Sequence, residues 1–306
     1  MSDGRCSVNP NERTRQQVAG ALGYVDPAYL EGTARLLRAL KDNSYDWMQA
    51  QRGHRVLDLG CGPGTDTLAL AERVRNDGMV VGIDRKPAML KEAERRAREA
   101  RLGTRIVHHL ADATRLPLRS GSCDASRAER LFQRLSDPVA ALAELLRVTR
   151  RGGWVVVLDT DWGTLSLHSP EIAIERRLAR VHADHLLHNG YAGRQIYHLL
   201  KRQGVAHVRV AVYPVYAVNL AQVRLLTVLD EVERKAIDLG VITQAELRRW
   251  HASLKRSKPK AGFSALQRSS WWQARPDTAW STAGSGCSTG TDLTRPVVHA
   301  GRWCAD

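Results

Sequence analysis

The sequence predicts an α/β fold: a doubly wound, mostly parallel sheet with helices on both faces and a helical cap. Three observations carry that expectation. Short apolar runs alternate with stretches of helical periodicity from HRVLDL near residue 54 to WVVVLDTD near residue 161, and such alternation builds a parallel sheet covered on both sides. A glycine-rich turn, GCGPG, separates the first strand from the first helix of that series. Acidic residues stand at the ends of three successive strands: Asp58, Asp84 and Asp112.

Each element follows in order. Residues 1 to about 20 are polar and carry Gly, Pro and Asn, which reads as a loosely attached arm. From Asp26-Pro27, a helix-start signal, apolar Leu30, Leu37, Leu40 and Trp47 fall at helical spacing. HRVLDL is then a strand, TDTLALAERVRN a helix, MVVGID a strand closing on Asp84, and KPAMLKEAERRAREARLG a helix stopped at Gly103. TRIVHHLAD is a third strand and CDASRAE a weak fourth; DPVAALAELLRVTRRGG is a helix closed by two glycines and WVVVLDTD a strong fifth strand. Beyond Asp161 the pattern loosens into the helices PEIAIERRLARVHADHLLHNG and AGRQIYHLLKRQG and the strand HVRVAVYPVYAV, then two more helices to about Lys255. The expected units are an N-terminal arm with helices over 1–50, a core over 51–218 with a helical insertion at about 170–190, cap helices over 219–257, and an irregular tail over 258–306.

Composition narrows the class. At 306 residues, 43% apolar and 25% charged, the chain has the make-up of a globular protein. No apolar run approaches the roughly 20 residues that span a bilayer, and no apolar stretch follows the N-terminal charges as in a secretory signal, so a cytoplasmic location is expected. Cys6, Cys61, Cys123, Cys287 and Cys304 form no CxxC pair, which indicates neither a disulfide framework nor a metal site. The net charge of +14 attracts nucleic acid in principle, but the arginines are spread along helices such as EAERRAREARLG and read as solvated faces.

The glycines have a physical purpose: backbone approaches a nucleoside-bearing ligand closely only where no Cβ intervenes. A bare GxGxG is shared with dinucleotide-binding folds, and three glycines in a tight turn need no ligand at all. What sharpens it is that Asp58, Asp84 and Asp112 fall at successive strand ends, where open α/β sheets bind ligands. GCGPGT also lacks the third glycine of GxGxxG, which makes a dehydrogenase a distant alternative.

VLDLGCGPG, VVGIDRKPAML, LADATRLPL with CDASRAERLFQRLSDP, and RVTRRGGWVVVLDTDWGTL together resemble the class I S-adenosylmethionine-dependent methyltransferases. The branch they are most similar to holds the ubiquinone, menaquinone and secondary-metabolite enzymes. The resemblance spans roughly Asp26 to Lys255 and implies a Rossmann-like core with S-adenosylmethionine as cofactor. It implies that Asp58, Gly60, Cys61 and Gly62 surround the methionine moiety, that Asp84 accepts the ribose hydroxyls, and that Asp112 with Ala113 receives the adenine amine. Arg85 and Met89 would flank the ring, and the N-terminal helices would form a lid bringing Tyr24 close. Arg127 is divided between the cofactor carboxylate or substrate mouth and a surface pair with Glu129.

In-line methyl transfer asks chiefly for positioning, with a general base where the acceptor needs one. Candidates are Asp161, with Asp159, closing the fifth strand; His182, with His185 and His188, on one helix; and Glu129. Neither a base-gripping N/DPPY segment nor a Pro-Cys nucleophile is present, which disfavours nucleic acid. The expected acceptor is a small, partly apolar secondary metabolite of polyketide, terpenoid or indole alkaloid type, methylated on carbon or oxygen, in a pocket lined by Trp162, Tyr191, Tyr197, Tyr213 and Tyr216. A quinone-biosynthesis enzyme, an RNA methyltransferase and a non-catalytic cofactor-binding protein are the alternatives. Members of the family finish with an antiparallel strand; Gln267 onward offers no such pattern, as though the reading frame had changed, and the unfilled sheet edge would favour a homo-oligomer.

Overall fold

The structure is a computed structural model and describes residues 32–35, 37–217, 219–256 and 265–275. After a helical turn at 32–35, helix α1 (Arg38–Trp47) leads to β1 (Arg55–Leu59), α2 (Thr65–Val74), β2 (Met79–Asp84), α3 (Pro87–Glu99), β3 (Ile106–Leu110) and β4 (Cys123–Glu129). A 3-10 turn (Phe132–Arg134), α4 (Pro138–Val148) and β5 (Thr149–Leu167) follow. Then come α5 (Ile172–His185), α6 (Ala192–Arg202), β6 (His207–Ala217), α7 (Leu220–Thr227), α8 (Leu229–Asp238), α9 (Gln244–Arg256) and β7 (Ala265–Arg275).

One seven-stranded sheet runs β3-β2-β1-β4-β5-β7-β6. Strands β1 to β5 pair in parallel, as alternation predicts. The chain winds outward from β1 to β3, returns to lay β4 on the other side of β1, and so leaves a switch point between those two strands. Ligand crevices open there, beyond the carboxyl ends.

Side-chain alternation along the strands makes two cores. Val56, Val80, Ile106, Ala125 and Val156 pack with Tyr45 of α1, with Met48 just beyond it, and with Leu70 and Val74 of α2. Their neighbours Leu57, Val81, Ile83, Ala128, Val155 and Val157 face α4 and α6 through Leu142, Leu145, Ile196 and Leu200. Full burial of one such aliphatic side chain contributes about 1.5–3 kcal/mol, so a one-residue slip of any strand is strongly disfavoured. A third cluster joins the far end of β5 to α5, α7, α8 and α9 around Trp162, Leu178, Leu226 and fully buried Trp250. Trp250 donates its indole N–H to Glu233 Oε1 at 2.8 Å. Among the described residues no helix is long and apolar enough to cross a membrane.

Local signals act as read. Pro87 and Pro138 open α3 and α4, and Asp137 caps α4 by accepting from the Ala140 N–H at 2.9 Å. The arginine-rich face of α3 is laced with ion pairs: Arg95 to Glu92 and Glu99, Arg96 to Glu92.

The end of the chain requires a correction. Ala265–Arg275 is a regular antiparallel strand lying between β5 and β6, with Leu158 opposite Trp271 on one side and Val210 opposite Trp272 on the other. The reading-frame change inferred from Gln267 onward is therefore overturned, and within the stretch expected to be irregular Ala265–Arg275 is a strand. The stretch ALQRSSWWQAR lacks apolar alternation, but a central strand is paired along both edges, and that context outweighs local propensity. The sheet edge now belongs to β6, whose Pro214 removes a backbone donor. The case for an oligomer built on an unfilled edge falls away with it.

Candidate active site

A cleft opens at the carboxyl ends of β1, β2 and β4, and the glycine turn forms its floor. Gly60, Gly62 and Gly64 have φ of 77°, 53° and 79°, the left-handed region where a Cβ is penalised. At Gly64 a Cβ would also stand 2.9 Å from that of Ala93. The turn is sewn to β2 by the N–H groups of Gly60 and Cys61, both donating to Ile83 O at 2.7 and 3.0 Å. Asp84 clasps it from the next strand end: one carboxylate oxygen accepts the Gly62 N–H at 3.0 Å, the other the Lys86 N–H at 2.9 Å. Asp112, two residues beyond β3, accepts from the Thr114 N–H and hydroxyl at 2.8 and 2.6 Å, the hydroxyl foremost in holding its carboxyl below the usual range.

Of the residues expected from sequence, Gly60, Cys61, Gly62, Asp84, Arg85, Met89, Asp112, Ala113 and Glu129 all line this cleft. Tyr24 lies outside the described residues. Asp58 and Arg127 sit beneath the floor rather than in it, 2% and 1% exposed. The surface reading of Arg127 is thus corrected: it is inside β4, buried, although it does bond Glu129.

From beneath the floor up to the cleft wall runs an ion network of which the sequence reading named only the Arg127–Glu129 pair. The Arg127 guanidinium reaches Asp58 at 3.3 Å, Asp66 at 3.2 Å, and Glu129. From α1, Lys41 donates to Asp66 at 2.8 Å and to Glu129 at 2.7 Å, and the Tyr45 hydroxyl donates to Asp66. Burial alone would raise the Asp66 carboxyl, but Lys41 and Arg127 override it and hold it well below the carboxylate range. Asp58 goes the other way: burial raises its carboxyl despite Arg127, and its Oδ2 has no partner among the described residues. With Asp58 protonated, two cations face two carboxylates, the neutral arrangement a buried cluster favours. The available signal was Lys41 and Tyr45 at i and i+4, hence on one helix face, and Asp66 in the first turn of α2.

The catalytic candidates fare differently. Glu129 faces the cleft, yet both its oxygens are taken by Lys41 and Arg127. Asp161 is bonded to Arg194 at 2.6 Å and does not line the cleft. His182 is stacked on Trp162 at 3.8 Å within the cap cluster, 2% exposed, and burial lowers its imidazole to about 3. It sits there because α5 presents the face with Leu178 and Val181 to the cap core; His185 and His188 are exposed. The aromatic pocket is corrected too, since none of Trp162, Tyr191, Tyr197, Tyr213 and Tyr216 borders the cleft, and Tyr197 and Tyr216 are exposed.

Asp159 does act on the site, from behind. It is fully buried and accepts the N–H groups of Gln133 at 3.1 Å and Thr160 at 2.8 Å, and burial pushes its carboxyl up to about 7. An unfolded Asp releases its proton near pH 4, so between about pH 4 and 7 the native state holds more protons and stability falls as pH rises. Wild type should lose on the order of 3 kcal/mol more than Asp159→Asn across that window. Urea titrations at pH 4.5 to 8 check it; parallel pH profiles for the two proteins would count against it.

Comparison with known proteins agrees with this geometry. Residues 50–207 match the family model of a methyltransferase domain, which covers half of the chain. The sequence is 34% identical over 234 residues to an uncharacterized 37.1 kDa protein in transposon Tn4556 of Streptomyces fradiae, covering 76% of this chain and 66% of that protein. It is 40% identical over 115 residues to the demethylmenaquinone methyltransferase of Beutenbergia cavernae, covering 37% of this chain and 44% of that one. The chain thus spans less than two thirds of these relatives' lengths. The fold is similar to that of the YcgJ protein from Bacillus subtilis, with a TM-score of 0.56 at 16% identity, over 79% of this chain and all of the other. The chain belongs to the class I S-adenosylmethionine-dependent methyltransferase family.

Proposed function

We propose that this protein transfers the methyl group of S-adenosylmethionine to a small, partly apolar organic acceptor at the cleft above the glycine turn. The observation that carries the proposal is the placement of Asp84 and Asp112 in one cleft with that turn, beyond the carboxyl ends of β2 and β3, the two successive strands to one side of β1. Each Asp84 oxygen spends one lone pair on a backbone N–H, leaving a further acceptor site on each for the two ribose hydroxyls. Asp112 keeps Oδ2 for the adenine amine. The Thr65 hydroxyl, buried at the start of α2 and without a partner among the described residues, meets the cofactor's polar amino-acid end, where a helix N-terminus favours a carboxylate. The residues present therefore fit the cofactor, which when bound supplies an activated methyl. Met89 and Leu131 give the cleft apolar walls.

No histidine lines the cleft among the described residues, and Asp66 and Glu129 are held by cations. The protein's contribution is accordingly orientation rather than proton removal. The acceptor is a secondary metabolite in this reading, methylated on carbon or oxygen; the likeness to a demethylmenaquinone methyltransferase favours a quinol-type acceptor as the second reading.

Calorimetry with S-adenosylhomocysteine and incubation of labelled S-adenosylmethionine with a metabolite extract test the proposal together. Binding with label transfer is the expected result. Binding without transfer to any acceptor would leave a cofactor-binding protein, and absence of binding would overturn the site.

A further inference from the structure

The walls of the cleft are not alike in charge. Arg85 and Lys86, from the turn after β2, and Arg130 and Arg134, from the turn after β4, all border it. These cations share space: burial lowers the Lys86 ammonium, and Arg85 and then Arg134 lower it further against the pull of Asp84. The carboxylates that border the same cleft have protein contacts of their own. Asp66 and Glu129 serve Lys41 and Arg127, Asp84 and Asp112 accept backbone N–H groups, and Asp137 caps α4.

A second, independent observation shows that the basic wall is built. Arg130 holds a left-handed φ of 50°, a conformation that side chains with a Cβ rarely adopt and that persists only where neighbours enforce it. Its N–H donates to Leu158 O at 2.8 Å, and its carbonyl accepts from Gln133 Nε2 at 3.1 Å. Gln133 is 1% exposed and is itself fixed at every polar atom. Its Oε1 accepts the Trp162 indole N–H at 2.6 Å, its carbonyl accepts the Asn189 N–H at 3.0 Å, and its N–H donates to Asp159. The cap and β5 thus jointly hold the turn that carries Arg130 and Arg134 in one shape.

We propose that the acceptor carries an anionic oxygen group, a carboxylate or a phosphate, and that Arg130, Arg134 and Lys86 bind it. The inference rests on the cofactor reading above, because it assigns this wall to what remains of the cleft once Asp84 and Asp112 hold the nucleoside. Planar guanidinium groups suit oxyanions, with paired donors matching paired oxygens.

The experiment uses the full chain saturated with S-adenosylhomocysteine, whose own carboxylate is then already accommodated. Pyrophosphate, inorganic phosphate and succinate are titrated in separately by calorimetry. One saturable site per chain is expected, weakened about tenfold or more in the Arg130→Gln/Arg134→Gln double variant, with S-adenosylhomocysteine affinity retained. Arg209→Gln, an exposed arginine of β6, controls for the net charge of +14 and should leave anion affinity unchanged. Should the double variant not fold, Lys86→Gln carries the same comparison. Preference for phosphates or for succinate names the group. Absence of saturable anion binding, or equal binding by wild type and the wall variants, overturns the proposal. Failure to bind S-adenosylhomocysteine is a separate result that overturns the cofactor reading, and this one with it.

Discussion

Asp84→Ala should abolish useful cofactor binding while leaving the sheet intact. The carboxylate would lose two hydrogen bonds to ribose hydroxyls, each worth about 1.5–3 kcal/mol when the acceptor is charged, so S-adenosylhomocysteine affinity should fall at least about a hundredfold. Part of the loss is geometric. Asp84 ties the Gly62 N–H to the Lys86 N–H, and without it the glycine turn and the start of α3 are no longer braced against each other. Asp84→Asn keeps one acceptor oxygen and should lose less, about tenfold. Asp112→Ala, deprived of a single bond to the adenine amine, should resemble Asp84→Asn. Calorimetric titration of the three variants, with thermal melting to confirm folding, makes the comparison. A folded Asp84→Ala that binds within twofold of wild type would remove Asp84 from the site.

Those residues were legible in the sequence because their geometry is local. A strand followed by a turn places its last residue at the carboxyl edge whatever the rest of the chain does, so Gly60, Gly62, Asp84 and Asp112 are located by counting along short elements. The ends of β1 and β2 come from Leu57, Leu59, Val81 and Ile83, apolar on strand spacing and fully or almost fully buried. Arg127 and Glu129 were visible as residues but not as partners, since their companions Lys41 and Asp66 come from distant elements and only the closed sheet brings them together. His182 misled for a related reason. Histidines on a helix announce chemistry and core packing alike, and the choice depends on which face meets Trp162, 20 residues earlier in the chain. β7 was illegible because its ladder bonds on both edges, rather than its own side-chain pattern, define it.

The buried network predicts the largest change in stability, at Arg127. Replacing it with Met preserves much of the side-chain volume but removes the cation shared by Asp58, Asp66 and Glu129, leaving Lys41 as the only positive partner among the described residues. Removing one member of a buried ion cluster typically destabilises by about 3–5 kcal/mol, because the remaining charge is stranded away from water. For a chain of this size, thermal melting should fall by about 6–15 °C. Asp58 distinguishes stranded charge from lost packing. Its carboxyl is already raised by burial and its Oδ2 lacks a partner, so without Arg127 it should be protonated across a still wider pH range. Arg127→Met should therefore be most damaging at high pH, where that carboxyl is forced to ionise, and adding Asp58→Asn should recover part of the loss there and little near pH 5. If Arg127→Met melted within 2 °C of wild type at pH 8, or if Asp58→Asn restored nothing, the cluster would not be the electrostatic keystone under the glycine turn. A full recovery at every pH would show that packing against Tyr45, over whose ring the guanidinium lies at 5.1 Å, contributes little. The partial, pH-dependent recovery expected here follows from the network's composition: two cations balance two carboxylates, and burial favours the proton on the third.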